Sequence, residues 1–350
     1  MKQMHATWET SPNNALIKYW GKRDETLFLP TNGSVSVCMD DSLTTRTTAV
    51  FSDQFARDEL WLDGTKVGEK EAAELSRVLD LLRAKAKVKT AAKVASENNF
   101  PTAAGFASSA SGLAALTLAS ADALGLKLST RELSIIARQG GGSASRSVLG
   151  GFVEWKRGVQ KSGVDSFAVQ VAPPQHWPQF KCVIAIVERE KKKVSSRAGM
   201  RQTVENSTLF RQRLQDVPKR IEDCKKFIFE RRGPELFELV MRDAMSMHAC
   251  MMDTFPPIIY LNDTSKRVIA AVCEHNAAAG AIECGYTFDA GPNAHVYCLE
   301  KDAARVRKTL DGVEGVRSTM VSSVGRGPRK SQSHLLDENG APTKLFGKMK

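Results

Sequence analysis

Four short stretches concentrate residues able to bind anions or move a proton. The first, Pro101-Thr102-Ala103-Ala104-Gly105-Phe106-Ala107-Ser108-Ser109-Ala110-Ser111-Gly112, places small residues between a strand pattern and a helical one. Phosphate binding needs close backbone approach, unpaired N–H groups at a helix N-terminus, and hydroxyls that donate or ligate Mg2+; this stretch offers all three. It lacks the G-x-x-x-x-G-K-S/T and G-x-G-x-x-G patterns, and a helix packing a small-residue face on a sheet has the same spacing, so both readings stand. The second, Gly140–Arg146 (GGGSASR), joins three glycines and two serines to Arg146, whose guanidinium can grip a carboxylate or phosphate with two parallel bonds. Taken alone, it reads first as a flexible surface loop. The third, Tyr286–Asn293 (YTFDAGPN), sets Asp289 before an Ala-Gly-Pro turn, where a solvated turn residue or a helix cap is the usual role. Only its company with two glycine-rich anion loops favours chemistry. The fourth, Lys18-Tyr19-Trp20-Gly21-Lys22-Arg23, interleaves cations with aromatics.

That last pattern could stack nucleic-acid bases, but 7% aromatic residues and no long basic stripe argue against such a surface. Lys191-Lys192-Lys193 before Ser195-Ser196 reads as a solvated loop. The six histidines, His5, His176, His248, His275, His295 and His334, show no ligand spacing and receive no role.

These stretches need a frame. Alternation in Ser34–Met39, Thr44–Phe51 and Glu59–Leu62 predicts strands, with Asp63-Gly64 as a hairpin turn. Leu75, Val78, Leu79 and Leu82 give residues 69–87 helical spacing. Lys89–Ser96 reads as a strand feeding the first stretch, and a helix follows through Leu113, Leu116, Leu118 and Leu124, stopping at Gly125. Thr130–Arg138 is helical, Gly151–Trp155 a strand. The cluster Ala172–Pro178 (APPQHWP) is the best boundary signal, since clustered prolines resist helix and sheet alike. Beyond it, a strand at Cys182–Val187, helical patterns to about Gly280, and a strand pair at Ala281–Thr287 and Ala294–Leu299 complete an α+β chain of two layered domains.

At 350 residues, 42% hydrophobic and 25% charged, the chain is neither a disordered tail nor a disulfide scaffold. A net charge of +11 points to anionic ligands, but the excess is uneven: residues 181–232 hold fifteen basic and seven acidic side chains, residues 233–300 three and nine. Seven widely spaced cysteines without a zinc pattern are expected to be reduced thiols. The opening residues show no signal-peptide pattern, no run approaches a membrane span of about 20 apolar residues, and FGKMK at the end is not a peroxisomal address, so a cytoplasmic location is expected.

In order, the stretches resemble the mevalonate diphosphate decarboxylase family, within the galactokinase, homoserine kinase and mevalonate kinase superfamily. The resemblance rests on ALIKYWGKRD at 15–24, LPTNGSVSV at 29–37, ENNFPTAAGFASSASG at 97–112, GGFVEW at 150–155, DTFPPIIYLNDTSKR at 253–267 and YTFDAGPNA at 286–294. It implies an N-terminal domain like ribosomal protein S5 domain 2 (1–178), a C-terminal ferredoxin-like domain (179–350), and a site in the cleft between them. The implied reaction uses ATP and Mg2+ to phosphorylate the tertiary hydroxyl of mevalonate 5-diphosphate, then loses phosphate and CO2 to give isopentenyl diphosphate.

By the same resemblance Asp289 lies beside that hydroxyl as general base or orienting group, with Arg146 and Lys18 as its catalytic company. Arg146 would hold the substrate carboxylate, supported by Asn13. Tyr19, Trp20, Gly21, Lys22 and the run Gly141, Gly142, Ser143, Ala144, Ser145 would bind substrate, and Ser195, Ser196 and Arg197 would meet its diphosphate. Asn98, Ala104, Gly105, Ala107, Ser108 and Ser109 would cradle ATP, the two serines also serving Mg2+. A homodimer without nucleic-acid or membrane partners is implied. Four positions depart from the family pattern: Gly141 replaces a serine, Ser145 a cysteine, Arg197 a threonine and Phe106 a leucine; the Arg197 exchange either adds a cation for the diphosphate or turns that side chain outwards. A relative that stops at phosphorylation or prefers the monophosphate is the nearest alternative, and a basic nucleic-acid binder using Lys18–Arg23 a more distant one.

Overall fold

β-branched and small residues at 45–52 and 91–98 suit long buried strands, and these form the centre of the largest sheet. The computed structural model describes residues 4–100, 108–187 and 194–349. Its six-stranded sheet runs β16 (Arg329–Ser331), β1 (His5–Thr10), β6 (Thr45–Ser52), β9 (Ala91–Asn98), β7 (Glu59–Leu62) and β8 (Thr65–Lys66). Asp63 and Gly64, both at positive φ, make the expected turn between β7 and β8. α2 (Ser108–Ala123), rich in alanine and serine, lies on β1 and β6, and α1 (Glu69–Ala86) and α3 (Thr130–Gly140) pack beside it. Ser129 caps α3 with Glu132 reciprocating.

A second sheet orders β11 (Ala168–Ala172), β10 (Phe152–Trp155), β5 (Ser34–Cys38) and β2 (Asn13–Ile17), and a short ribbon pairs β3 (Lys22–Asp24) with β4 (Leu29–Pro30). The third sheet, β13 (Cys284–Phe288), β14 (Ala294–Leu299), β12 (Phe180–Ile186) and β15 (Ser318–Ser323), is antiparallel throughout. α5 (Ser196–Asn206), α6 (Leu209–Glu230), α7 (Gly233–Met252), α8 (Asp263–Ala279) and α9 (Glu300–Asp311) belong to the second half, and the four-residue α4 (Ala144–Ser147) to the first.

The proline cluster forms a 3-10 turn at Pro174–His176, and Trp177 is buried in a cluster with Leu16 and Phe152 from one half and Phe180, Phe237 and Tyr297 from the other. One apolar cluster therefore spans both halves. A division at residue 178 assigns the last strand to the second half, but β16 pairs antiparallel with β1 through Thr7–Ser331 to Glu9–Arg329, because β1 otherwise offers an open edge. Glu9 clamps this return by accepting from Arg46 and Arg329. No helix among the described residues is long and apolar enough to cross a membrane.

Candidate functional site

Where β2 ends at Ile17 the chain turns into the pocket, and Lys18 is only 1% exposed. Its Nζ donates to Asp289 Oδ1 at 2.7 Å, and Asn14 Nδ2 donates to Asp289 Oδ2 at 3.1 Å. Asn14 is itself set by Tyr297, whose hydroxyl donates to Asn14 Oδ1 at 2.5 Å. Asp289 stands in the turn between β13 and β14, with a third of its side chain open to the pocket. An ammonium this close favours the ionised carboxylate.

Arg146 comes from α4, which the sequence read first as part of a flexible loop. The structure corrects that: Ala144 to Ser147 are buried, Ser134 Oγ donates to the Ser145 carbonyl at 2.9 Å, and Asn13 Nδ2 donates to the Ser143 carbonyl and to Ser147 Oγ. Arg146 Nε donates to Asn13 Oδ1 and Nη1 to Ser34 Oγ, each at 2.7 Å. Burial pulls this guanidinium down to about 10, which leaves it charged at neutral pH. Two neutral frame residues thus orient a cation without quenching it.

Lys18 and Arg146 line a cavity of about 280 Å³ with Asn13, Tyr19, Trp20, Lys22, Ser109, Gly141, Gly142, Ser143, Ser196, Arg197 and Asp289. Lys22 donates to Glu25 at 2.5 Å and lies 4.7 Å over the Phe28 ring. Tyr19 rests edge-on against Trp155 at 4.7 Å, and burial pushes its hydroxyl well above the usual tyrosine range. The burial of Lys18 and Trp20 removes the aromatic-basic stripe that a base-stacking surface needs.

A second cavity of about 290 Å³ adjoins the first at Ser109, Leu113 and Arg197, and Asn98, Ser108, Trp61 and Asp63 contribute to its wall. Asn98 is fixed by Thr45, which donates to its Oδ1 at 2.6 Å, and its own N–H donates to Asp63. Ala104, Gly105 and Ala107 lie outside the described residues, as does Lys191-Lys192-Lys193.

Other expected residues sit apart from the cavity walls. Gly21 has φ of 88°, and a Cβ there would come within 2.7 Å of Phe210 and Val204, so the glycine permits the turn and the packing rather than facing a ligand. Ala144 is beneath the surface, and the Ser145 hydroxyl is used internally, donating to the Gly142 carbonyl at 2.7 Å. Ser195 caps α5 by accepting from the Ala198 N–H. Gly141 does line the cavity, but an added Cβ there would meet Leu113 at 2.7 Å, so a serine needs Leu113 to move.

Sequence reasoning passed over Asn14, Ser34, Met200, Met247, His248 and His295. Burial drives both histidines down to about 4; Asp289 and Lys18 lie within electrostatic reach of each. The doubled amide Asn13-Asn14 within an otherwise apolar strand was the one signal for Asn14. Nothing in the local sequence marks Ser34, whose alternation reads as ordinary strand.

A mixed α/β chain whose fixed cations and Asp289 carboxylate face one cavity, beside a second at a helix start, has the build of an enzyme for small anionic substrates. Comparison with known proteins narrows this. Residues 10–168 match the diphosphomevalonate decarboxylase-like N-terminal domain and residues 182–338 the mevalonate 5-diphosphate decarboxylase C-terminal domain. The diphosphomevalonate decarboxylase of Schizosaccharomyces pombe is 42% identical, over 97% of this chain and 98% of its own. The crystal structure of mevalonate diphosphate decarboxylase from Staphylococcus aureus superposes with a TM-score of 0.88 at 35% identity, covering 94% of this chain and 98% of that one. A complex of MDDEF with MVAPP, AMPPCP and magnesium has a TM-score of 0.86, also at 35% identity, covering 94% and 99%. The chain belongs to the diphosphomevalonate decarboxylase family, whose members are lyases, and its two-domain mixed α/β fold is that of the solved decarboxylases.

Proposed function

We propose that the protein catalyses ATP-dependent decarboxylation of mevalonate 5-diphosphate to isopentenyl diphosphate, supplying isoprenoid and sterol precursors. The observation that carries this reading is the Lys18–Asp289 pair, 2.7 Å apart, facing the same cavity as the framed Arg146. Asp289 takes or orients the proton of the substrate's 3-hydroxyl, whose oxygen then bonds to the γ-phosphorus as the bond to ADP breaks. Lys18 keeps that carboxylate ionised and placed. Arg146 and Asn13 hold the substrate carboxylate. When the C–C bond breaks, its electron pair becomes the new double bond, CO2 departs, and the 3-phosphate leaves with the C–O pair.

Tyr19, Trp20, Lys22, Gly141, Gly142 and Ser143 shape the substrate cavity, while Gly21, Ala144 and Ser145 hold its walls from behind. Ser196 and Arg197, with Ser195 starting α5, meet the diphosphate. The adjoining cavity takes ATP against Asn98, Ser108 and Ser109, with Ala104, Gly105 and Ala107 preceding them. Among the described residues no group of three His, Cys, Asp or Glu side chains is placed to hold a metal. That suits Mg2+ held chiefly by phosphate oxygens, with the Ser108 or Ser109 hydroxyl as protein ligand. The ion, when bound, neutralises phosphate charge during transfer.

The same reading includes an S5-like domain over 1–178 and a ferredoxin-like domain over 179–350 with the site in the cleft between them, a homodimer, and a cytoplasmic location, which seven unpaired cysteines support. The deciding experiment supplies the purified protein with ATP, Mg2+ and either mevalonate 5-diphosphate or the monophosphate. Faster CO2 release from the diphosphate is expected. Phosphorylated acid without CO2, or preference for the monophosphate, would overturn the assignment.

A further inference from the structure

Lys18 lies one residue past the end of β2, where the sheet ladder no longer occupies its peptide groups. Two side chains from distant helices take them instead. Asp243 of α7 accepts the Lys18 N–H on Oδ2 at 2.7 Å, and Arg213 of α6 donates from Nη2 to the Lys18 carbonyl at 3.1 Å. Asn32 shares that carbonyl at 3.0 Å. Arg213 also grips Asp243, Nη1 to Oδ1 at 3.0 Å and Nη2 to Oδ2 at 3.1 Å, and Arg220 adds a bond to Oδ1 at 3.2 Å. The Arg213 and Asp243 side chains are 1% and 0% exposed.

A fully buried ion pair is weak evidence for stability, because desolvation offsets most of the attraction and apolar replacements of similar volume are often neutral or better. Its bonding pattern here points to another role. We infer that the Arg213–Asp243 pair is a positioning device: from α6 and α7 it clamps the Lys18 peptide just past β2, so that Nζ stays at Asp289 in the β13–β14 turn. Neither residue lines the cavity, so both act through Lys18. The inference rests on the proposed decarboxylation, in which Lys18 and Asp289 work at the reacting hydroxyl. A displacement of about 1 Å at such a contact is enough to cost about 100-fold in rate.

The test compares wild type with the double variant Arg213→Met/Asp243→Leu, which removes both charges together, and with Arg213→Lys, which keeps a charge but cannot reach Asp243 and the Lys18 carbonyl as a fork does. Arg220 retains Asp216 at 3.8 Å in the double variant. CO2 release from mevalonate 5-diphosphate is followed from pH 5 to 9, with thermal unfolding measured alongside. The expected result is a folded double variant whose kcat falls at least about tenfold while KM changes less than about threefold, with Arg213→Lys in between. The acidic limb of kcat should also move to higher pH, because the loosened ammonium no longer favours the ionised Asp289. The other groups facing Asp289, namely Asn14 on β2, Arg146 on α4, Cys182 on β12, His248 on α7, and His295 and Tyr297 on β14, are unchanged in these variants. Wild-type kcat and an unmoved limb in a folded variant would overturn the inference, as would losses that only follow the folded fraction. If the double variant does not fold, Arg213→Lys decides by the same readouts. Wild type that releases no CO2 is a different result, the failure of the functional assignment itself.

Discussion

Removing either member of the Lys18–Asp289 pair should abolish most turnover, yet the two removals should differ in stability, and the burial of the partners sets the order. The Lys18 side chain is 2% exposed and that of Asp289 33% exposed, at 2.7 Å. With an effective dielectric near 20 the gross attraction is roughly 4–6 kcal/mol. Asp289→Asn leaves a buried ammonium facing an amide oxygen. Stranding a charge in a fully buried pair costs about 3–5 kcal/mol, and pocket water reaching the open side reduces this to about 2–3. Lys18→Met instead removes the buried charge, fills its stem volume with an apolar chain, and leaves a carboxylate that keeps Asn14 and water, for a loss of about 1 kcal/mol or less. Both variants should lose at least about 100-fold in kcat, the range of a positioned base and its partner. Urea unfolding at pH 7 with CO2 release under saturating ATP reads both quantities. Lys18→Met less stable than Asp289→Asn by more than about 1 kcal/mol would refute the burial argument, and wild-type turnover in Asp289→Asn would remove it from the chemistry.

Arg146→Lys keeps a charge but cannot serve Asn13, Ser34 and a substrate carboxylate together; kcat/KM for mevalonate 5-diphosphate should drop about 10- to 100-fold with the fold intact, and unchanged kinetics would remove Arg146 from binding. His248 and His295, both driven to about 4 by burial, take up protons in the unfolded chain near pH 6.5 before they do so in the native one, and His5 and His334 shift the same way. Their stabilisation is therefore complete above about pH 6.5 and lost as pH falls toward 4, by up to about 3 kcal/mol for each of the deeper two; urea unfolding that is flat between pH 7 and 4.5 would contradict this. Gly21→Ala forces a side chain into positive φ against Phe210 and Val204 and should lower stability by about 1–3 kcal/mol, visible as a reduced Tm; an unshifted Tm would mean the turn can relax.

The parts of the fold that repeat a period were legible in sequence. Leu75, Val78, Leu79 and Leu82 announce α1, and alternation gives β5, β6 and β7 to within a residue or two. Strands that escaped include very short ones, as β3, β4 and β8 are, and ones with partners far along the chain. β16 makes sense only as the neighbour of β1, more than 300 residues earlier, and its three residues carry no pattern of their own. The site divides the same way. Arg146 follows a run of three glycines and Asp289 stands in a glycine-bearing turn, both of which attract notice, whereas Arg213 and Asp243 sit mid-helix and look like ordinary surface charges until α6 and α7 bring them under Lys18. Local sequence can show that a charge exists; burial, which decides what the charge does, is a property of contacts between segments.

The cations of the cavity illustrate why a net charge of +11 says little about where an anion binds. Lys18, Lys22 and Arg146 are each under a tenth exposed, and each is already bonded to protein, to Asp289, to Glu25, and to Asn13 with Ser34. A mobile surface lysine meets a phosphate only after losing side-chain freedom and hydration. These three have lost both on folding, so an arriving anion finds oriented charge in a site of low effective dielectric, where each interaction counts for more than in water. The cost falls on the fold, in buried charges that must be held by neighbours. That is why the Lys18 peptide is gripped by a second, deeper ion pair while the exposed basic residues of α6 and the C-terminal segment can be many and loosely held.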